Sequence, residues 1–382
     1  MDFKFTEAQE ILRKSVHDFV EKECPREYVR KLDENKEYPY EVYDKMVKLG
    51  WMGLPYPEEY GGSNCGAVEF LIVTEELARY AYDMAAVWGI PVLMGLNIIA
   101  HGTEEQKSLY IPRILNGTVR FSISITEPGA GSDSAAVSTE AVPDGNDYIL
   151  NGQKVFSTGA HLKDNIIHMV ARTDKTVKKH RGLTIFMVDS RSPGLDIRRL
   201  NTLGRHIIGT NEIFIENVRV SKDNILGGVN KGWDALLSQL EHERLFTCGL
   251  YVGNGKQAVA DSIQYAKERE QFGQPIGNFQ AIGHMLADMY TEVQAARLLT
   301  YHVANMIDEG IPCIKEVSMA KLFGSETLAR VTNKGMQILG GYGFMMEYDM
   351  QRYFRDARVA TVTAGTSQIQ RTIIARQLGL KV

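Results

Sequence analysis

The sequence predicts an α+β protein in which a mostly antiparallel sheet lies between two helical parts. Three stretches of different hydrophobic periodicity support this. Apolar residues recur at helical spacing over residues 3–120, at alternate positions over 121–225, and at helical spacing again from 231. Strands that are grouped, and do not alternate with helices, favour an antiparallel sheet. We therefore expect domains at residues 1–120, 121–230 and 231–382.

The first helical part opens with a helix start signal. Thr6 and Gln9 form a capping box, after which Ile11, Val16 and Val20 belong to one apolar stripe. Residues 85–100 are mostly apolar, but they fall short of the roughly 20 residues that a membrane span needs. We therefore predict a buried helix there, with no membrane span, and the N-terminus lacks a signal-sequence pattern.

The middle part shows the alternation of strands. Residues 122–125 alternate in polarity, as do residues 212–216. Asn151-Gly152 stands between two short apolar runs, which is a strong signal for a two-residue hairpin turn. The sequence therefore predicts a hairpin with its turn at Asn151-Gly152.

A glycine pair in the last part imitates a dinucleotide-binding fingerprint. Gly253-Asn254-Gly255 would need a strand before it and a βαβ unit around it. Leu236, Leu240 and Leu245 precede it at helical spacing instead. We therefore interpret these glycines as tight helix packing, which argues against a nicotinamide enzyme of Rossmann type.

Composition excludes several classes of function. The net charge of −4 gives no reason to expect a nucleic-acid partner. The 4 cysteines lie far apart, which is typical of reduced thiols in a cytoplasmic protein. The 9 histidines form no ligand pattern, so we expect no metal, and His242 is expected to be structural. The basic stretch 175–181 is read as a solvated loop tip, with contact to a ligand phosphate as the alternative.

The sharpest local signal is Ile125-Thr126-Glu127-Pro128-Gly129-Ala130-Gly131-Ser132-Asp133. It follows a strand and combines a hydroxyl, a turn and two glycines that let a ligand approach the backbone. Successive backbone N–H groups in such a turn can hold an anion. A plain glycine-proline loop is the alternative for this segment taken alone.

Together with four further segments, this string resembles the acyl-CoA dehydrogenase family over essentially the whole chain. The four segments are Lys154-Val155-Phe156-Ser157-Thr158-Gly159, Arg269-Glu270-Gln271-Phe272-Gly273, Gln337-Ile338-Leu339-Gly340-Gly341-Tyr342-Gly343 and Ala364-Gly365-Thr366-Ser367-Gln368-Ile369-Gln370-Arg371.

The resemblance implies an N-terminal helical domain, a central β-domain, a C-terminal four-helix bundle, and FAD as the cofactor. Ser132 also reaches the CoA moiety in the family, and the Thr158 hydroxyl can donate toward flavin N5. Phe156 stands where many relatives carry tryptophan, so an indole donor is lost. By similarity, the flavin contacts from this part of the chain are Ile125, Thr126, Gly131, Ser132, Phe156 and Thr158.

In the family, a neighbouring subunit completes the flavin site. The matching residues are Arg269, Phe272, Gln280, Gln337, Gly340 and Gly341, and Thr366 and Gln368 match the C-terminal flavin contacts. Arg269 would supply a fixed positive fork for the pyrophosphate. A cofactor assembled from two chains implies an obligate oligomer, and homotetramers are usual in the family.

This chain departs from many relatives at Ala364. Those relatives carry the catalytic glutamate at this position, and alanine cannot take a proton. The isovaleryl- and long-chain-type branch instead carries the base on a helix just before an arginine, which Glu243-Arg244 matches. Glu243 would take the α-proton while the β-hydride passes to flavin N5. Without the resemblance, Glu243-Arg244 would read as a surface ion pair. Ser132, Glu241, Arg244, Ala364, Gly365 and Arg376 are the expected substrate contacts.

Three functions remain open on the sequence. The first is oxidation of a short- or branched-chain acyl-CoA, as in fatty acid or amino acid metabolism, with electrons passed to an electron-transfer flavoprotein. The second is the reverse reaction, because Met1-Asp2-Phe3, Asp33-x-Asn35 and residues 241–244 also resemble crotonobetainyl-CoA reductases of carnitine metabolism. The third is a non-catalytic flavin- or acyl-CoA-binding scaffold, which only Ala364 suggests. The direction depends on the substrate's potential and on the electron partner.

Overall fold

The computed structural model describes residues 4–382, apart from the side chains of residues 238–241, so Met1-Asp2-Phe3 lies outside the described residues. The predicted order of helices, sheet and helices is confirmed within this range. The helices of the first part are α1 Glu7–Glu23, α2 Arg26–Asn35, α3 Tyr40–Lys48, α4 Ala67–Leu77, α5 Tyr82–His101 and α6 Glu104–Leu115. The strands are β1 Arg120–Ser124, β2 Glu140–Asp144, β3 Asp147–Thr158, β4 Asn165–Arg172, β5 Leu183–Asp189, β6 Leu195–Arg199, β7 Thr210–Ser221 and β8 Ile225–Leu226. The remaining elements are α7 Gly232–Glu268, β9 Glu270–Gln271, β10 Gln274–Pro275, α8 Gln280–Asp308, α9 Ile314–Leu339, α10 Met350–Ala360 and α11 Ser367–Gln377.

The first helical part follows its sequence signals closely. The predicted capping box is present, because the Thr6 hydroxyl accepts from the Gln9 amide and the Gln9 side chain accepts from the Thr6 amide. Among the described helices, α5 has the length and composition to span a membrane, but 72% of its most apolar window is buried in the chain. It is therefore the core helix of this part, as predicted.

The central sheet runs in the order β6-β7-β3-β2-β4-β5-β8, with β1 beside β4. Most neighbours are antiparallel, but β4 pairs in parallel with both β1 and β2. The hairpin predicted at Asn151-Gly152 is wrong, because β3 continues straight through these residues and pairs with β7 on both sides. Gly152 instead lies where the register between β3 and β7 shifts. Its backbone φ is +155°, and a Cβ atom at this position would collide with Thr139. The turn between β2 and β3 lies earlier, at Gly145-Asn146.

The last part is a helical bundle in which α7, α8 and α9 pack together, with α10 and α11 against α9. The glycines of residues 253–255 lie inside α7, as the helix-packing interpretation requires. A Cβ atom on Gly253 would meet the Glu75 carbonyl oxygen of α4 at 2.1 Å, so glycine permits the close approach of the two helices.

Both helical parts hold one loop of the β-domain, residues 202–209. Asp83 of α5 accepts from the Arg205 Nε at 2.7 Å and from the Ile208 amide at 3.2 Å. Asp356 of α10 accepts from the Arg205 amide at 2.7 Å. Asp33 of α2 lies 3.3 Å from His206. Three carboxylates from the two helical parts therefore fix this loop in place.

Candidate active site

The glycine-rich segment after β1 forms an exposed turn with an open backbone. The Glu127 and Ala130 backbones exchange hydrogen bonds of 3.1 Å, which closes the turn. Gly129 and Gly131 are exposed, and a Cβ atom on either would meet no atom within 4 Å. The main chain is therefore accessible to a ligand here.

A buried ion pair anchors this turn to the sheet. Lys154 is fully buried on β3, and its Nζ donates to the Glu127 carboxylate at 2.8 Å and to the Ile125 carbonyl at 3.0 Å. The carboxylate also accepts from the Ser138 amide at 2.6 Å and from the Thr139 amide at 2.8 Å. Burial acts to raise the pKa of Glu127, but Lys154 and these donors outweigh it and hold the pKa at about 2. Burial lowers the pKa of Lys154 to about 8, so both groups are charged at neutral pH.

Phe156 and Thr158 lie on β3 beside the glycine-rich turn. The Val155 amide donates to the Thr126 carbonyl at 2.9 Å, and the register with β7 shifts between Lys154 and Ser157. Such a bulge redirects a side chain. Phe156 has a φ of +61° and remains 63% exposed, a flat apolar face that suits a planar ring system.

A second surface lies at the end of the helical bundle. A groove of about 550 Å³ is lined by Arg269, Gly340 and Gly341, among others. Gly340 has φ +60° and ψ −137°, a conformation essentially limited to glycine, and neither glycine has an atom within 4 Å of a Cβ position. A guanidinium beside bare main chain suits an anionic group such as a diphosphate.

The two surfaces are separate within one chain. The lining of the groove comes from α7, α9 and the segments next to them, and it includes no residue of the β-domain. Large apolar side chains stand exposed around the groove, with Phe272 at 93% and Phe344 at 79%. Gln280 and Gln337 are also exposed at this end of the bundle. Exposed apolar patches of this kind are common on surfaces where another chain binds.

Glu243 lies on α7 in a densely packed position. It keeps partial solvent exposure, yet burial raises the pKa of its carboxyl. The positive charges of Arg244, Arg205 and Lys321 act in the opposite direction. A carboxyl with a raised pKa, poised to hold or release a proton, is typical of a general acid-base.

The loop between α10 and α11 has an unusual backbone. Ala364 has φ +53°, in the left-handed region that a residue with a side chain rarely adopts, and Gly365 follows at φ +84°. The Gln370 side chain donates to the carbonyls of both residues, at 3.0 and 3.1 Å. Thr366 caps α11 by accepting from the Ile369 amide, and Gln368, the second residue of the helix, is exposed.

The other predicted substrate residues lie in different settings. Arg244 is 8% exposed and follows Glu243 on α7. Ser132 is exposed in the glycine-rich turn, and Arg376 is exposed on α11, where its Nε donates to the Val382 carbonyl at 2.9 Å. The side chain of Glu241 lies outside the described residues. The stretch 175–181 is an exposed loop between β4 and β5. In the part of the chain that the structure describes, no cluster of His, Cys, Asp and Glu could hold a metal ion.

Three charged residues with roles in this site were missed by the sequence analysis. Lys154 and Lys321 are fully buried, and Arg205 lies between Asp83 and the Tyr82 ring, 4.7 Å from its centroid. Lys321 could have been found, because it occupies a position in the apolar stripe of α9 next to Val317, Ala320 and Leu328. Arg205 carries no such signal, since its partners come from distant parts of the chain.

Comparison with known proteins covers all three parts of the chain. The acyl-CoA dehydrogenase N-terminal domain matches residues 6–118, the middle domain matches 122–218, and the C-terminal domain matches 230–379.

Individual relatives align over nearly their full length. A caffeyl-CoA reductase-Etf complex subunit of Acetobacterium woodii is 40% identical, over 98% of this chain and 99% of the relative. A 3-(aryl)acrylate reductase of Clostridium sporogenes is 39% identical over the same shares. The structure of butyryl-CoA dehydrogenase from Megasphaera elsdenii superposes with a TM-score of 0.94, at 33% identity over 100% of both chains.

Proposed function

Because this chain belongs to the acyl-CoA dehydrogenase family, we propose that it oxidises the Cα–Cβ bond of a short- or branched-chain acyl-CoA, with Glu243 as the base. The chain is a flavin-dependent oxidoreductase of CH–CH bonds, and its cofactor is FAD. The observation that carries the assignment of Glu243 is its carboxyl on α7, whose pKa is raised by burial. Ala364, where many relatives carry the base, has no group that takes a proton.

The chain offers a fitting environment for FAD on both surfaces. The open main chain at Gly129 and Gly131 suits the phosphates of FAD, and the exposed Phe156 ring suits its isoalloxazine ring. Arg269 and the bare Gly340 backbone suit the diphosphate. When bound, FAD supplies the chemistry that accepts or returns the β-hydride. The protein must hold the thioester so that its α-hydrogen faces Glu243.

Glu243 can serve either direction of the reaction. As a carboxylate it takes the α-proton of a saturated thioester, which the carbonyl acidifies. As a carboxylic acid it returns a proton to the α-carbon after hydride has reached the β-carbon of an enoyl thioester. Burial raises its pKa, and this enlarges the protonated fraction that the reductive direction needs.

Reduction of an enoyl-CoA is therefore the second candidate function. The two relatives at 40% and 39% identity are named as reductases, of caffeyl-CoA and of 3-(aryl)acrylates. One of them is a subunit of a complex with Etf. We propose an electron-transfer flavoprotein as the electron partner of this chain in either direction.

Anaerobic titration with a panel of thioesters separates the two directions. We expect the holoenzyme to carry one FAD per chain and its absorbance to bleach with a short or branched saturated acyl-CoA. If the enzyme is a reductase, two rates should differ. Reoxidation of the chemically reduced flavin by an aryl- or alkyl-enoyl-CoA should be faster than reduction of the oxidised flavin by the matching saturated acyl-CoA. Stopped-flow absorbance gives both rates. Release of no FAD on denaturation would overturn the whole assignment.

We further propose that the working enzyme is a homo-oligomer, with a tetramer as the family's usual size. The two FAD-compatible surfaces lie on separate parts of one chain, and exposed aromatic residues surround the groove. A second copy would bring its groove to the glycine-rich turn of the first and cover these residues.

Disrupting the groove should therefore weaken both cofactor binding and assembly. We expect Arg269→Ala to lower FAD occupancy at micromolar protein, because the diphosphate loses a fixed cation. Arg198→Ala is the control, since this arginine is exposed on β6 and pairs with Asp196 on the same strand. Sedimentation with detection at a flavin wavelength measures both quantities. A monomer that holds stoichiometric FAD would contradict the proposal.

A further inference from the structure

Lys321 is a fully buried lysine on α9 that the proposed chemistry does not yet use. Its Nζ donates to the Ala360 carbonyl at 3.0 Å and to the Gly365 carbonyl at 2.8 Å. Ala360 ends α10, and Gly365 stands just before the cap of α11. One ammonium group thus joins the two ends of the loop that carries Ala364.

This loop needs to be held, because its backbone is strained. Ala364 and Gly365 both have positive φ, at +53° and +84°. A left-handed residue with a side chain is strained and persists only when its surroundings enforce it. Tyr251 also donates its hydroxyl to the Ala360 carbonyl, at 3.2 Å. Lys321 and Tyr251 therefore act on the same carbonyl, one with a charge and one without.

Lys321 also lies close enough to Glu243 for their charges to interact. The charged groups that face the Glu243 carboxyl are Arg244 on α7, Arg205 on the loop before β7, and Lys321 on α9. Burial lowers the pKa of Lys321 to about 8, and the groups facing it are Cys248, Arg244, Glu243 and Glu326. Burial raises the pKa of the Cys248 thiol to about 12, so this group stays neutral. Lys321 therefore presents a positive charge to Glu243 at neutral pH.

A neutral donor would be enough to hold the loop. Burying an ammonium is costly unless its charge is matched, and two carbonyls match it only in part. A charged group buried at this position therefore points to a role in the electrostatics of the site as well as in its structure.

We propose that Lys321 is a positioning residue for the proton transfer, which holds the loop from Ala360 to Gly365 and keeps a positive charge beside Glu243. This inference rests on the proposed role of Glu243 as the base. Through the loop, Lys321 fixes the strained Ala364-Gly365 backbone. Through its charge, it keeps the carboxylate form of Glu243 available for taking the α-proton.

The test is the pH dependence of kcat/KM for the holoenzyme with a saturated acyl-CoA that bleaches it. The acid limb of this profile reports the base of the free enzyme. Lys321→Met keeps an unbranched apolar stem but removes the charged end, and we expect the limb to move to higher pH by about one unit. Lys315→Met is the control on the same helix, because Lys315 is only partly buried and pairs only with Glu316 among the described residues, so its limb should not move.

Two further variants separate charge from loop support. Tyr251→Phe removes the uncharged bond to the Ala360 carbonyl, so it should lower kcat without moving the limb. Lys321→Arg keeps the charge, so its limb should stay in place even if kcat falls, and this variant serves if Lys321→Met does not fold. An unmoved limb in Lys321→Met, or a moved limb in Lys321→Arg, would overturn the proposal. Glu243→Gln in the same series tests the base itself, because activity retained there would sink the proposed function independently.

Discussion

Replacing Glu243 by glutamine should nearly abolish reduction of the flavin by an acyl-CoA while leaving FAD bound. Glutamine keeps the shape of the side chain but cannot accept the α-proton. General acid-base groups contribute about 10²–10⁴-fold, and coupling to hydride transfer can make this loss larger. The loss should appear in the chemical step more than in substrate binding. Anaerobic stopped-flow absorbance, with a separate titration of thioester binding, measures the two effects.

Two other variants give this prediction its controls. The double change Glu243→Gly with Ala364→Glu should restore some activity, because it moves the carboxylate to the position that many relatives use. The rival base is Glu241, which lies about 200° around the helix from Glu243 at 3.6 residues per turn. Loss of bleaching in Glu241→Gln, with most of the rate kept in Glu243→Gln, would assign the base to the opposite face of α7.

The second large effect is expected at the ion pair beneath the glycine-rich turn. Glu127→Gln should destabilise the protein by about 3–5 kcal/mol, because it leaves the Lys154 ammonium buried without its counter-charge. The Ile125–Gly131 segment should loosen with it, so FAD occupancy should fall as well. Denaturant unfolding and the flavin absorbance of the purified variant give the two values.

The matched control for this change is a second Lys–Glu pair, whose carboxylate is exposed. Glu104 lies 2.9 Å from Lys107 and its side chain is 78% exposed. Glu104→Gln should therefore change stability by less than about 0.5 kcal/mol. Equal effects of the two changes would refute the anchoring role of Glu127.

The deficit of Glu127→Gln should also depend on pH. Burial lowers the pKa of Lys154, and the Glu127 carboxylate acts against this. Without the carboxylate, the folded pKa of Lys154 falls below about 8, so the folded protein sheds this proton while the unfolded chain keeps it up to about 10.5. Stability then rises with pH over that window. The deficit should therefore be smaller at pH 9 than at pH 6.5.

Periodicity and local signals predicted much of the fold. The capping box at Thr6 and the buried α5 followed from helix signals that depend on neighbouring residues only. The hairpin at Asn151-Gly152 failed because the same dipeptide also suits a bulge. The pairing of β3 with β7 along its whole length decided between the two. That pairing joins residues more than 50 positions apart, which no local pattern encodes.

The candidate site likewise contains some residues that local sequence signals predict and others that depend on long-range contacts. The glycine-rich turn and Glu243 were predicted through short motifs that resemble those of the family. Lys321 and Arg205 act through partners from other helices and loops, and a charged residue in a helical stripe is ordinarily counted as solvent-facing. The burial of Lys321 could have been predicted from its place in the apolar stripe of α9, but its contacts and those of Arg205 follow only from the folded chain.

Both helical parts bind the loop of residues 202–209 through carboxylates, and these contacts limit which domains of this chain can be exchanged with those of a homologue. Asp33, Asp83 and Asp356 come from opposite ends of the sequence, and each depends on groups of the β-domain loop or of the other helical part. A chimera with one part from a distant homologue would leave buried carboxylates without their hydrogen-bond donors. The loss in free energy of unfolding would exceed the small stability margin of a typical protein. The three parts can therefore diverge together but are poorly suited to being shuffled as independent modules.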